Sequence, residues 1–219
     1  MSTGIIDKKG IDYTLYFCTD RQLMSCETIE ESVERAVAGG ARIIQLREKD
    51  CTSREFYELA LRVLKITRPN NVPLIINDRV DICLAAGADG VHLGQKDLPC
   101  REARRILGEK AVIGVSAARP EEAARAQEDG ADYLGVGAVF PTSTKTDTRP
   151  VTPEIIKQIR AAVTIPFVVI GGVSKENILT LKGLGINGAA VVSAVAAQPD
   201  ITAAAREMRA AAAAACEHL

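Results

Sequence analysis

The sequence predicts an α/β fold, a single (β/α)8 TIM barrel, and three observations carry that expectation. Apolar, β-branched runs of strand length alternate eight times with longer amphipathic stretches that open on helix-start signals. A glycine-led segment recurs before every second strand: Gly40-Ala41-Arg42-Ile43-Ile44, Gly87-Ala88-Asp89-Gly90-Val91, Gly130-Ala131-Asp132-Tyr133-Leu134 and Gly185-Ile186-Asn187-Gly188-Ala189. Glycine there suits the left-handed end of a helix, and its return in phase is expected of a chain assembled from two-unit βα modules. The competing architecture, an open doubly wound sheet, calls for a phosphate-binding turn after the first strand, and neither G-x-G-x-x-G nor G-x-x-x-x-G-K-[ST] stands there.

In chain order, residues 1–12 read as a short N-terminal extension to one domain covering residues 1–219. Strands are expected at Tyr13–Cys18, Arg42–Leu46, Pro73–Asn77, Gly90–Leu93, Ala111–Val115, Tyr133–Gly137, Pro166–Ile170 and Ala189–Ser193, each rich in Val, Ile, Leu or aromatic residues. Helices are expected at Thr28–Ala38, Ser53–Thr67, Val80–Ala86, Arg101–Leu107, Pro120–Asp129, Pro153–Ala162, Lys175–Leu184 and Ile201–Ala215, the last on alanine propensity alone. A chain of 219 residues holds eight such pairs near the minimum size of a closed barrel.

Bulk properties narrow the function. Lys plus Arg (27) nearly balance Asp plus Glu (28), so no global field draws the protein to nucleic acid or to an anionic membrane. No apolar run reaches spanning length and the N-terminus lacks a secretory signal, which predicts a cytoplasmic protein. Six cysteines without a C-x-x-C pair argue against a zinc knuckle or a disulfide framework, and two distant histidines argue against a His-based metal site or a Ser-His-Asp triad. The sequence leaves oligomeric state open, a homo-oligomer included.

In such a barrel, chemistry belongs at the C-terminal strand ends. The strand period puts Gln45, Arg47 and Lys49 on one face and Ile44 and Leu46 on the other; because the outer face must meet helices, the polar face turns to the barrel mouth. An inward Arg and Lys call for an anionic partner. Asp78 and Asp97 follow strands three and four, and two carboxylates beside an anion pocket suit Mg²⁺, which takes one or two protein carboxylates together with water and phosphate oxygens. The competing reading makes each Asp an N-cap of the following helix. Gly135-Val136-Gly137-Ala138-Val139-Phe140-Pro141-Thr142-Ser143-Thr144-Lys145 runs from a strand into hydroxyls and an ammonium, the donors phosphate oxygens accept. Strand five leads into Ser116, Gly171-Gly172 stand at the end of strand seven and Val192-Ser193 at the end of strand eight, where barrels of this kind bind phosphate. Two anion sites imply two phosphorylated small-molecule substrates. His92, on strand four, reads as an interior histidine with satisfied hydrogen bonds rather than a catalyst.

These residues together resemble the thiamine-phosphate synthase (thiamine-phosphate pyrophosphorylase) family. The resemblance rests on Gln45-Leu46-Arg47-Glu48-Lys49, on Ile76-Asn77-Asp78-Arg79-Val80-Asp81 through His92-Leu93-Gly94-Gln95, on Gly114-Val115-Ser116, on Gly130-Ala131-Asp132-Tyr133 through Phe140-Pro141-Thr142-Ser143-Thr144-Lys145, and on Ile170-Gly171-Gly172 and Val192-Ser193. It implies a Mg²⁺-dependent transferase joining a hydroxymethylpyrimidine diphosphate to a thiazole phosphate. By match, Gln45, Leu46, Arg47, Glu48, Lys49, Asn77, Ser116 and Lys145 bind the pyrimidine diphosphate, with Arg47, Lys49, Lys145 and Ser116 acting in catalysis. Thr142, Ser143, Thr144, Gly172, Val192 and Ser193 bind the thiazole phosphate, and Asp78 and Asp97 hold the metal. A related tautomerase carries a His two residues after the serine of strand five; Ala118 stands at that position here.

Overall fold

The computed structural model describes residues 7–142 and 149–216. Strands β1 (Leu15–Cys18), β2 (Ile43–Leu46), β3 (Leu74–Asn77), β4 (Gly90–Leu93), β5 (Val112–Ala117), β6 (Tyr133–Gly137), β7 (Phe167–Ile170) and β8 (Gly188–Val191) form a closed, all-parallel barrel in sequential order. Closure is made by β1 on β8, with Tyr16 opposite Ala190. Around it lie α1 (Ile29–Ala38), α2 (Ser53–Thr67), α3 (Val80–Ala86), α4 (Cys100–Leu107), α5 (Pro120–Glu128), α6 (Pro153–Ala162), the four-residue α7 (Ser193–Ala196) and α8 (Ile201–Ala215).

Two expected elements differ. The stretch 175–184 forms a 3-10 turn at Ile178–Leu181 in place of a helix. Asn177 is spent on loop backbone, accepting from the Ser174 N–H at 2.9 Å and donating to the Gly172 carbonyl at 2.8 Å, and Gly183 at φ +81° halts propagation. Strand eight stops at Val191, so Ser193 opens α7.

The recurring glycines are left-handed as expected: φ is +106° at Gly40, +66° at Gly87, +92° at Gly130 and +73° at Gly185. The repeat also carries a clamp. The backbone N–H groups of Asp89, Asp132 and Asn187 donate to the carbonyls of Leu74, Ile113 and Phe167. Their side chains accept from the N–H of those same residues at 2.9, 2.8 and 2.9 Å. Each clamp satisfies a donor at the start of a strand, the first of β3 and of β7 and the second of β5, a group that would otherwise be buried without a partner. Asp89→Ala is expected to cost on the order of 2 kcal/mol by stranding the Leu74 N–H, read as a lower urea midpoint at unchanged slope.

Two apolar layers result. Leu15, Phe17, Ile44, Leu46, Ile76 and Val91 face the helices in the larger one. Tyr13, Tyr16, Ile43, Ile75, Tyr133 and Val168 fill the barrel, and Ile11 packs against them from the N-terminal side. The tyrosines fit because neighbouring positions are small: a Cβ at Gly114 would lie 2.1 Å from Cζ of Tyr133. Gly114→Ala should therefore destabilise by about 1–3 kcal/mol through overpacking, visible as a melting point lower by several degrees.

Candidate active site at the barrel mouth

Gln45, Arg47 and Lys49 emerge from β2 in the expected phase. Gln45 is 6% exposed inside the barrel, whereas Leu46 is buried in the outer layer, so Leu46 offers the mouth only its backbone. Arg47 is fixed twice from the end of β1: its N–H donates to Oγ1 of the fully buried Thr19 at 3.0 Å, and Nη1 donates to Oδ2 of Asp20 at 3.2 Å. Thr19 and Asp20 were not evident from sequence; the signal available was a Thr-Asp pair directly after a barrel strand. Glu48 turns aside, its carboxylate accepting from Nε and Nη2 of Arg21, each at 3.2 Å.

Lys49, Asp78 and Asp97 converge from three consecutive strand ends. Asp78 sits at φ +62°, a left-handed conformation that Asp tolerates better than most side chains, while its N–H still reaches the His92 carbonyl at 2.9 Å. Its Oδ2 accepts from Nζ of Lys49 at 2.5 Å, and Oδ2 of Asp97 accepts from the Gly94 N–H at 2.7 Å. The helix-cap reading fails for both. Helix α3 begins after Arg79 and α4 after Pro99, and neither has a side-chain cap.

The two carboxylates titrate in opposite directions. Burial works to raise Asp78, but hydrogen bonds from Lys49 and Asp97 outweigh it and hold it below the ordinary carboxylate range. Asp97 is raised, first by burial and then by the neighbouring Asp78, despite the Gly94 N–H. Like charges crowded at one point are the arrangement a cation relieves. Among the described residues no group of three or more His, Cys, Asp or Glu is placed to hold a metal ion, so Asp78 and Asp97 stand as a pair, apart from Asp20 and Glu48, which are taken up by Arg47 and Arg21.

Across the barrel, Ser116 at the end of β5 pairs through Oγ with His92 Nε2 at 2.9 Å, and its carbonyl accepts from Nε2 of Gln95 at 2.7 Å. His92 Nδ1 lies 3.0 Å from the Tyr133 hydroxyl, which lies 2.7 Å from that of Tyr16, to which Gln45 Nε2 donates at 2.8 Å. Burial raises both phenols well above the ordinary tyrosine range, so both keep their protons. His92 is thus an interior histidine with both ring nitrogens engaged, as expected. Asn77 stands at the end of β3 opposite His92 in the β3–β4 register.

On the other side, the segment after β6 lies against the turn after β7. The N–H groups of Val139 and Phe140 donate to the carbonyls of Ile170 and Gly171 at 3.1 and 3.0 Å. Gly172, at φ +65°, has no room for a side chain, since a Cβ would meet the Pro141 carbonyl oxygen at 2.3 Å. Thr142 is the last described residue of this segment; Ser143, Thr144 and Lys145 lie outside the described residues. Arg149, the next described residue, grips Glu122 of α5 through Nη1 and Nη2 at 2.6 and 2.9 Å, and Glu122 accepts from the Ala118 N–H. Val192 and Ser193 follow β8, Ser193 opening α7.

Fold and mouth together define a (β/α)8-barrel enzyme whose cationic and acidic side chains collect at the C-terminal strand ends. Residues 15–195 match the family model described as thiamine monophosphate synthase, and the chain belongs to that family. It is 55% identical over 201 residues to the thiamine-phosphate synthase of Ruminiclostridium cellulolyticum, covering 92% of this chain and 96% of that one. The corresponding protein of Clostridium botulinum is 52% identical over 202 residues, with 92% and 95% covered. Among solved structures, thiamine phosphate pyrophosphorylase from Pyrococcus furiosus superposes with a TM-score of 0.85 at 40% identity, covering 93% of this chain and 96% of that one. A 3-hexulose-6-phosphate synthase at 20% identity and a TM-score of 0.67 shares the fold. Among the described residues no helix is long and apolar enough to cross a membrane.

Proposed function

We propose that this site joins 4-amino-2-methyl-5-(diphosphooxymethyl)pyrimidine to a thiazole phosphate, giving thiamine phosphate and diphosphate. The observation that carries the reading is the meeting of Lys49, Asp78 and Asp97 at the mouth of a barrel of this family. Gln45, Arg47, Lys49, Asn77, Ser116 and Lys145 serve the pyrimidine diphosphate, with Leu46 and Glu48 contributing backbone. Thr142, Ser143, Thr144, Gly172, Val192 and Ser193 serve the thiazole phosphate, in keeping with glycine backbone and hydroxyl donors that phosphate can approach closely.

The reaction is a substitution at a benzylic-type carbon. The carbon–oxygen bond breaks with its electrons leaving on diphosphate, so the protein's task is to favour the charge-separated state over the ground state. Arg47, presented by Thr19 and Asp20, and Lys49 and Lys145 place positive charge where the leaving group gains negative charge. The pyrimidine amine donates electron density to the developing cation, and no protein nucleophile takes part. Asp78 and Asp97 suit Mg²⁺, being paired, crowded carboxylates free of helix-capping duty; bound there, it supplies further charge against the departing diphosphate.

A coupled diphosphate-release assay with both substrates and Mg²⁺ tests the reading. Release dependent on both substrates is expected. A phosphate-binding isomerase would release none and would not need Asp78 or Asp97; a ligand-binding protein would bind thiamine phosphate and make none. Small-molecule substrates are in keeping with the family, and cytoplasmic residence and freedom from nucleic acid are part of this proposal.

A further inference from the structure

The buried relay from Gln45 to Ser116 has a direction, and each donor can be counted. The Gln45 carboxamide donates through Nε2 to Tyr16. Tyr16 must then spend its one proton on the Tyr133 oxygen, 2.7 Å away, and Tyr133 must spend its own on His92 Nδ1. Nδ1 is therefore the acceptor nitrogen, the ring proton sits on Nε2, and Nε2 donates to Ser116 Oγ. A doubly protonated ring would strand the Tyr133 hydroxyl proton in the barrel core without an acceptor. Ser116 receives a hydrogen bond from below and keeps its own proton for the mouth. At the other end, Gln45 Oε1 accepts no hydrogen bond among the described residues.

We propose that Tyr16 and Tyr133 are specificity-determining positioning residues: they polarise the relay so that a ligand seated between Gln45 and Ser116 must offer a donor to the first and an acceptor to the second. The inference rests on the reaction proposed above, whose 4-aminopyrimidine carries both groups, an amino N–H and a ring nitrogen lone pair. A 4-oxo pyrimidine inverts both, presenting a carbonyl oxygen and a ring N–H. The architecture is specific to this arrangement: a Cβ at Gly114 would overlap Tyr133, and one at Gly135 would lie 3.0 Å from Cε1 of His92.

Two measurements test it. The chain has two histidines, His92 and His218, so ¹⁵N-histidine labelling gives two ring systems, and H218Q identifies the second. In the free wild-type protein His92 is expected as the Nε2–H tautomer; finding the Nδ1–H tautomer would reverse the relay and overturn the proposal whatever reaction the site performs. In the Tyr133→Phe variant, tautomer purity should fall, and the preference for the 4-amino over the 4-oxo pyrimidine diphosphate, measured as a ratio of kcat/KM values, should shrink by about 10- to 100-fold. A folded Tyr133→Phe protein that retains wild-type discrimination would contradict the assignment. Wild-type protein that makes no thiamine phosphate would instead remove the reaction itself and leave the tautomer result standing.

Discussion

Asp78→Asn is expected to lower turnover by about 10²- to 10³-fold, equivalent to about 3–4 kcal/mol of transition-state stabilisation. The substitution keeps the shape of a residue whose backbone is committed at φ +62° and whose N–H holds the His92 carbonyl. What it removes is one of the two charges that would hold the proposed Mg²⁺, so the Mg²⁺ concentration for half-maximal rate should rise while thermal stability changes little. It also removes the carboxylate that accepts from Lys49 at 2.5 Å, freeing that ammonium. A metal titration of the variant beside wild type decides between roles: unfolding without any change in metal dependence would make Asp78 structural.

Lys145→Ala is expected to cost a similar factor, about 10²–10³ in kcat, by analogy with loss of one donor to a developing oxyanion. The argument for it is chemical. Lys145 follows three hydroxyl residues after β6, and on the proposed division of roles its ammonium serves the diphosphate, whose negative charge grows as it departs, rather than the thiazole phosphate. The KM for the thiazole phosphate should therefore move little, whereas Thr142→Ala should raise that KM and spare kcat. Single-turnover rates with both substrates separate the two effects. Near-normal turnover in Lys145→Ala would take Lys145 out of the leaving-group role.

Much of this molecule was legible in the sequence because period and position carry physical meaning. The alternation at Ile44, Gln45, Leu46 and Arg47 foretold which side chains enter the barrel, since a strand has only two faces and one of them must meet helices. The Gly-Ala-Asp echo foretold the left-handed helix ends. Its clamp function was not legible, because the partner of Asp89 or Asp132 lies on the preceding strand and a linear reading has no register. The same gap hid the relay: Tyr16, Gln45, His92, Ser116 and Tyr133 are scattered over five strands, and only barrel closure brings them together. A polar hint did exist, in that two tyrosines on barrel strands need hydroxyl partners once buried. The seventh helix failed for a local reason, since Asn177 is worth more bonding the loop at Gly172 and Ser174 than continuing a helix. For the two aspartates the sequence allowed a cap or a metal ligand, and only the side-chain directions exclude the cap.

Phosphorus NMR of the wild-type protein with pyrimidine diphosphate, thiazole phosphate and Mg²⁺ tests the proposed reaction most directly. Free diphosphate and the phosphate signal of thiamine phosphate should rise together in a one-to-one ratio, and neither should appear when either substrate is left out. Diphosphate or its hydrolysis products released without the thiazole phosphate, or a thiazole phosphate altered without diphosphate release, would contradict the account.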